Sequence, residues 1–488
     1  MSRILFTHSY FMRFDPKQWA AGQPYPPLGT ILAASVLREK GHQVSLFDTM
    51  FAYGPEEAIL ALKKNKPAYF IVYDDGFNYL TKMCLTNMRD AAFEIMKYAA
   101  SSNCIVIMAS SDSNDHYEKY LEEGADFVLL GEAEKTLEEL IEALERPGSD
   151  LLSIPGLAFR QQGAVIKTAR RTVMHELDNI PLPAWDLIDM DAYRKTWLKH
   201  RGYFSLNMAT TRGCPFKCNW CAKPIYGNRY NSRSPANVVR ELKMLKGQYA
   251  FDHIWFCDDI FGLKPGWVAE FADLVEKENL GFSFKIQARV DLMMQENYII
   301  DLARAGCRNV WMGAESGSQK ILDAMDKGTR VEQIFEATKL LKKNGIHPSF
   351  FIQFGYPGET REDIMKTIEM INALLPYEIG ISVSYPLPGT AFFESVKSEL
   401  IEKKNWTDSD ELALMFRNTY SPPFYKQLYR YVHANYRKHL ALESLRRLFG
   451  KEASFSLKRI KKALSLFYYS PVTWLARQKL LKLEQPAL

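Results

Sequence analysis

The stretch FSLNMATTRGCPFKCNWC, residues 204–221, decides how the chain is read. Phe204 to Ala209 has the length and composition of a buried strand, and three thiols, Cys214, Cys218 and Cys221, follow within eight residues. Gly213 and Pro215 bracket the first thiol in a tight loop. Thiolates are the ligands that iron–sulfur clusters prefer. Three of them on a four-iron (4Fe-4S) cluster leave one iron without a protein ligand. Amino and carboxylate groups of a small molecule can chelate that iron, as the open position of catalytic zinc accepts water. A zinc site would want a fourth ligand, and neither His nor Cys occurs in the thirty residues after Cys221. Three unrelated buried thiols would not account for the loop.

Downstream the pattern repeats as strand then helix. Strands are expected at His253 to Phe256, Ser283 to Ala288, Asn309 to Gly313, Ser349 to Phe354 and Gly380 to Ser384. With Phe204 to Ala209 that makes six, each followed by a helical stretch, which predicts a partial parallel (β/α) barrel over 196–395 with its chemistry at the strands' carboxyl ends. Those ends carry Trp255-Phe256-Cys257-Asp258-Asp259, Gln287-Ala288-Arg289-Val290-Asp291 and Gly313-Ala314-Glu315-Ser316-Gly317-Ser318. A loop of Gly355-Tyr356-Pro357-Gly358-Glu359-Thr360 follows the fifth. Cys257 and Cys307 read as packed barrel thiols.

Upstream, residues 1–145 also alternate. Runs at 3–8, 44–48, 68–73, 104–108 and 126–130 are strands, and helical stretches separate them, so the fold class is α/β with a doubly wound, Rossmann-like parallel sheet first. Ligands of such sheets sit at the carboxyl ends of the strands. Candidate contacts are therefore Pro27 and Gly29 in the Pro-Pro-Leu-Gly loop, Asp75, Ser110, Ser111, Gly131 and Glu132. Residues 146–195 read as a linker, with a hairpin around Gln161-Gln162-Gly163.

The cysteine motif, preceded by Thr-Arg-Gly and carrying an aromatic residue before its last thiol, resembles the radical S-adenosylmethionine superfamily. The Gly-x-Glu-Ser-Gly-Ser and Gly-Tyr-Pro-Gly-Glu-Thr segments are similar to that superfamily too. The resemblance implies that a cluster on Cys214, Cys218 and Cys221 reductively cleaves S-adenosylmethionine to methionine and a 5′-deoxyadenosyl radical, which takes hydrogen from a substrate. It implies Trp220 near the adenine, Asp258 and Asp259 toward the methionyl ammonium, Arg289 toward the carboxylate or ribose, and Glu315 as a further contact. A doubly wound domain ahead of the barrel, with Gly124-Ala125-Asp126…Gly131-Glu132-Ala133-Glu134 and Leu177 to Leu187, resembles the cobalamin-binding branch. The Asp-x-His-x-x-Gly motif that ligates cobalt in many cobalamin proteins is absent, and His116 is the nearest candidate. The methylthio-transferases, whose first domain carries its own cysteine triad, do not fit: the first 150 residues hold only Cys84 and Cys104.

The resemblance further implies methylation of an unactivated carbon, with methylcobalamin as donor and a second S-adenosylmethionine remethylating the cobalt. An oxidative, ring-forming reaction like that of the anaerobic magnesium-protoporphyrin monomethyl ester cyclase is the alternative. A non-catalytic cobalamin- or cluster-sensing regulator is the rival from another class, and no helix-turn-helix supports it. Expected partners are a small or lipophilic substrate and an electron donor such as flavodoxin or ferredoxin.

The net charge of +5 conceals an asymmetry. Residues 421–488 carry fourteen Lys or Arg against three Glu, so this stretch bears +11 and the first 420 residues bear −6. The region 396–488 reads as helical and basic, with aromatics interleaved, as in 424–449 and 454–483. A cap over the barrel is one reading, peripheral contact with anionic lipid another, and nucleic-acid contact a third that is disfavoured. Met1-Ser2-Arg3 leads straight into a strand, and no run of about 18 apolar residues occurs, so a cytoplasmic chain, peripheral at most to the inner membrane face, is expected.

Overall fold

The computed structural model describes residues 1–82, 85–223, 225–403, 405–449 and 456–484. Cys84 and the first two residues of the 454–483 segment lie outside the described residues. Two parallel sheets organise the chain. The first contains β1 (Arg3–Thr7), β2 (Gln43–Phe47), β3 (Tyr69–Tyr73), β4 (Ile105–Ala109), β5 (Phe127–Leu129), β6 (Leu157–Gln161) and β7 (Ala164–Lys167), in the order β2-β1-β3-β4-β5-β6-β7. β1 to β5 pair in parallel, and their fully buried centres (Phe6, Phe70, Ile71, Val106, Met108, Val128) explain why they read as unbroken apolar runs.

The 146–195 stretch does more than connect. Its hairpin β6–β7 turns at Gln162 (φ +51°) and Gly163 (φ +84°) and pairs antiparallel with β5 through Leu157, Ala158 and Phe159. This covers an edge that β5, only three residues long, would otherwise expose.

The second sheet begins with β8 (Ser205–Met208). A two-stranded ribbon of β9 (Thr211–Arg212) and β10 (Asn231–Ser232) leads from it. Then come β11 (His253–Phe256), β12 (Ser283–Ala288), β13 (Cys307–Glu315), β14 (His347–Phe354) and β15 (Ile379–Val383), in the order β8-β11-β12-β13-β14-β15, all parallel. The sheet is a half-barrel, and β8 and β15 do not pair. Its two faces differ. Phe284, Ile286, Ala288, Val310 and Met312 are buried, and Phe284 packs edge-on with Phe256 and Phe271. Lys285, Gln287, Trp311 and Gly313, on the other face, are only partly buried. The second face lines a lumen.

The Pro-Pro-Leu-Gly loop closes the open side of that lumen. Asn207 Nδ2 donates to the Pro26 carbonyl at 3.0 Å, Trp197 Nε1 donates to the Pro24 carbonyl at 2.7 Å, and Tyr25 OH meets Ser205 Oγ at 3.4 Å. The helix Pro422–Phe449 lies along the far side, where Asn435 Nδ2 reaches Asn372 Oδ1 at 2.9 Å and Tyr436 OH donates to the Pro376 carbonyl at 2.7 Å. No helix among the described residues is long and apolar enough to cross a membrane.

Candidate functional site

The three cysteines sit in an excursion, residues 213–230, whose base the β9–β10 ribbon clips shut. Gly213 holds φ +79°, and a Cβ there would lie 2.3 Å from the Arg229 carbonyl oxygen, so the loop requires glycine at this position. Asn219, between the second and third thiols, fixes the loop to the barrel mouth. Its Nδ2 donates to the Ala324 carbonyl at 2.7 Å, its Oδ1 accepts from Tyr356 OH at 3.0 Å, and its carbonyl accepts from Phe392 N at 3.0 Å. Nothing in the motif marks Asn219 for this anchoring; its partners lie over a hundred residues away.

Cys214, Cys218 and Cys221 are partly buried and unpaired. Among the described residues no three His, Cys, Asp or Glu side chains converge on one ion. Three thiols set apart on one loop match a polynuclear cluster, whose irons each take their own thiolate, better than a single zinc. Burial raises the Cys214 thiol and pushes Cys221 up to about 12, and the Asp259 carboxylate adds to both shifts. A cation is what would hold these thiols ionised.

A connected set of charged groups borders the second thiol. Arg289 Nη1 donates to Cys218 Sγ at 3.8 Å, its guanidinium lies 3.8 Å from the Phe216 ring centroid, and its Nη2 donates to the Lys327 carbonyl at 3.0 Å. Lys327 Nζ pairs with Glu315 Oε1 at 2.8 Å and stands 5.8 Å from the Trp220 ring. A register shift at the end of β13 turns Glu315 to this position, and Glu315 takes φ +57°, a left-handed conformation that costs a glutamate energy. A Cβ on Gly313 would sit 2.6 Å from both Glu315 Oε1 and Lys327 Nζ, so the glycine leaves room for the pair. Trp220 Nε1 and Thr329 Oγ1 are buried here without a hydrogen-bond partner. Two orphaned polar atoms beside a cationic aromatic wall suit a polar ligand. Lys327 and Thr329 carry no sequence signal.

The two adjacent carboxylates part company. Asp258 accepts from Thr210 N (2.7 Å), Thr210 Oγ1 (2.7 Å) and Thr211 N (2.8 Å), and its complete burial raises it to about 6. It buttresses the strand end beneath the cysteine loop. Asp259 reaches Lys82 Nζ of the first domain at 2.7 Å, so the helix Tyr79–Lys82 meets the barrel mouth beside Cys221.

Across from the excursion stand the strand ends of the first sheet. Asp75 Oδ1 accepts from Gly29 N (3.1 Å) and Phe77 N (2.9 Å), fixing the loop that begins at Pro27. Ser110 and Ser113 exchange hydrogen bonds at the start of a short helix that buries Ser111. Gly131 N donates to Asn114 Oδ1 at 2.9 Å. Glu132 pairs with Arg212, which also binds Glu134 at 2.7 Å, all three being buried. That triad ties the first domain to the residue before Gly213. A Cβ on Gly76 would come within 2.7 Å of Ile225 Cδ1, and one on Gly131 within 3.7 Å of the Ile225 carbonyl, so these glycines make a bare crest facing the excursion. His116 lies at the end of that short helix, 3.8 Å from Asp112.

Residues 208–371 match the model of the radical SAM superfamily. An uncharacterised methyltransferase of Pyrococcus horikoshii is 30% identical over 391 residues, 79% of this chain and 82% of that protein. The anaerobic magnesium-protoporphyrin IX monomethyl ester cyclase of Synechocystis is 23% identical, over 82% of this chain and 78% of its own length. Among solved structures, the cobalamin-dependent S-adenosylmethionine radical enzyme OxsB with aqua-cobalamin bound superposes on 98% of this chain and 72% of its own, with a TM-score of 0.74 at 16% identity.

Proposed function

As the chain belongs to the radical S-adenosylmethionine superfamily and shares its fold with a cobalamin-dependent enzyme, we propose that it transfers a methyl group to an unactivated carbon of a small, largely apolar molecule. The observation that carries this reading is the face-to-face setting of the cysteine excursion and the glycine crest, held by Lys82–Asp259 and by Arg212 with Glu132 and Glu134. When bound, a 4Fe-4S cluster supplies the electron that splits S-adenosylmethionine, and cobalamin supplies a transferable methyl group. Cys214, Cys218 and Cys221 hold the cluster. Trp220, Arg289, Glu315 and Asp259 border S-adenosylmethionine, with Trp220 Nε1 and Thr329 Oγ1 as free hydrogen-bonding atoms. Pro27, Gly29, Asp75, Ser110, Ser111 and Gly131 would hold cobalamin, with the Asp75 and Ser110 side chains already engaged internally. Asp258 and Glu132 shape the site by fixing Thr210, Thr211 and Arg212. A flavodoxin or ferredoxin is the electron donor.

Anaerobic incubation with methyl-deuterated S-adenosylmethionine and host extract, read by mass spectrometry, tests the proposal. Label in a product supports it. Changed products without label favour the ring-forming alternative, which the similarity to the cyclase over most of both chains supports. No 5′-deoxyadenosine from the reconstituted protein under strong reductant defeats both.

The C-terminal helices Leu457–Leu464 and Leu466–Lys482 support peripheral attachment to anionic lipid. They bury only small residues, Ala463, Thr473 and Ala476, while Leu457 (79%), Phe467 (81%) and Trp474 (61%) are exposed. Lys458, Lys461, Lys462, Arg477 and Lys479 flank them, also exposed. Apolar side chains beside lysines suit an acidic bilayer surface. Binding to vesicles that contain an anionic phospholipid, and loss of it in Phe467→Ala/Trp474→Ala, is the expected result.

A further inference from the structure

Lys285 stands on the lumen face of β12, opposite Trp255 of β11, away from the cysteine loop. It forms no hydrogen bond or ion pair among the described residues; its ammonium lies 5.2 Å from the Trp255 ring and 5.5 Å from the Tyr25 ring. The nearest carboxylate in its field, Glu378, is exposed on the surface and makes no ion pair with it. Burial lowers the lysine's pKa, and the neighbouring His253 is pushed down to about 3 by burial and by the charge of Lys285. This wall of the lumen therefore carries a positive charge, partly withdrawn from water, that has no counter-ion among the described residues.

The lysine lines a cavity of about 70 Å³ together with Tyr10, Tyr25, Tyr79 and Trp255, and no residue lining it is acidic. Tyr10 is 3% exposed, and its hydroxyl has no hydrogen-bond partner. Tyr10 therefore brings a second unpartnered polar group to the wall of this cavity. Tyr79, which also lines the cavity, is 47% exposed. Farther along the lumen face the wall is aromatic, with the Trp311 and Phe351 rings tilted against each other at 4.7 Å. The cavity holds a few non-hydrogen atoms, not a whole substrate.

We propose that this cavity is a carboxylate subsite: Lys285, assisted by the Tyr10 hydroxyl, receives the carboxylate of an apolar acid whose body lies along the aromatic lumen. It deepens the reading above by naming the substrate class, and it rests on that reading only for the claim that the bound acid is the one transformed. The attraction comes from a charge-assisted bond formed away from water, stronger than its counterpart in solvent.

The test uses the full chain with cluster and cobalamin reconstituted, without reductant, so that binding is read without turnover. Calorimetry and ligand-observed NMR compare phenylacetate and 3-phenylpropionate with their primary amides. The acids should bind at least about tenfold more tightly than the amides, about 1.4 kcal/mol. Lys285→Met should bring that ratio to about one and raise the melting temperature, since an unpaired buried charge is removed. Tyr10→Phe should lower the ratio severalfold. Equal binding of acid and amide to the wild type, no binding of either acid, or a ratio unchanged in both variants overturns the subsite. Formation of 5′-deoxyadenosine by the wild type is scored separately, so failure of the radical reading is distinct from failure of the subsite.

Discussion

The cysteine excursion and the crest of the first sheet face each other but are built on opposite principles. In the excursion and the barrel wall beside it, side chains are left for partners: three thiols, the Trp220 indole N–H and the Thr329 hydroxyl. On the crest, polar side chains are consumed internally, as Asp75 is by Gly29 and Phe77 and Ser110 is by Ser113, and glycines are what face outward. Directional side-chain ligands suit a small cluster and a polar sulfonium molecule; a surface of backbone suits a large ring that needs room more than it needs bonds. The difference teaches that the two halves must be tested by different substitutions, deletion of groups on one side and addition of bulk on the other.

The largest effect should come from breaking the tie between them. Arg212→Met strands Glu132 and Glu134 in a buried setting, and about 3–5 kcal/mol of stability should be lost in denaturant titration. A loss below about 1 kcal/mol would mean that the two domains dock by other contacts.

Next is Glu359, beneath the mouth, whose burial raises it to about 8 while Gly355 N donates to it. The folded state keeps a proton that the unfolded state has released above its usual value of roughly 4.3. This group therefore costs stability as pH rises from there to about 8, the penalty being fully present above that. Glu359→Gln should stabilise the protein by roughly 3–5 kcal/mol at pH 9 and by nothing near pH 4, read from melting curves.

Within the excursion's border, Lys327→Met removes the partner of Glu315 and the cation over Trp220. The affinity for S-adenosylmethionine should fall about tenfold, or ~1.4 kcal/mol, in equilibrium dialysis. On the crest, the Cβ of Gly76→Ala meets the flexible end of Ile225 at 2.7 Å and Tyr226 OH at 3.8 Å, so stability should change by less than about 1 kcal/mol. Cobalamin retention after gel filtration should nevertheless drop. Unchanged retention would remove the crest from the cobalamin surface.

Much of this was legible in the chain. The main parallel strands of both sheets appear where the apolar runs put them, since β1, β3, β4 and β5 are buried on both faces and the barrel strands on the face toward the helices. The cysteine loop is equally plain, because its three thiols lie within eight residues of one another. The 146–195 stretch is where the reading fell short: its hairpin is visible in Gln162-Gly163, but its pairing with β5 is a long-range event. Likewise the adjacent Asp258 and Asp259 look equivalent on the page, while the structure turns one onto the Thr210–Thr211 backbone and the other onto Lys82.

By itself the sequence determined the cysteine motif on its loop, the succession of the two parallel sheets and the basic character of the C-terminus, all properties set by neighbours along the chain or by composition. Only the tertiary structure decided which charges are spent and which are free. Arg212 meets Glu132 eighty residues away and is neutralised; Lys285 meets two aromatic faces and is not. A charge's role depends on what packs around it in a low-dielectric interior, and that is fixed by contacts between distant segments, which no local pattern records.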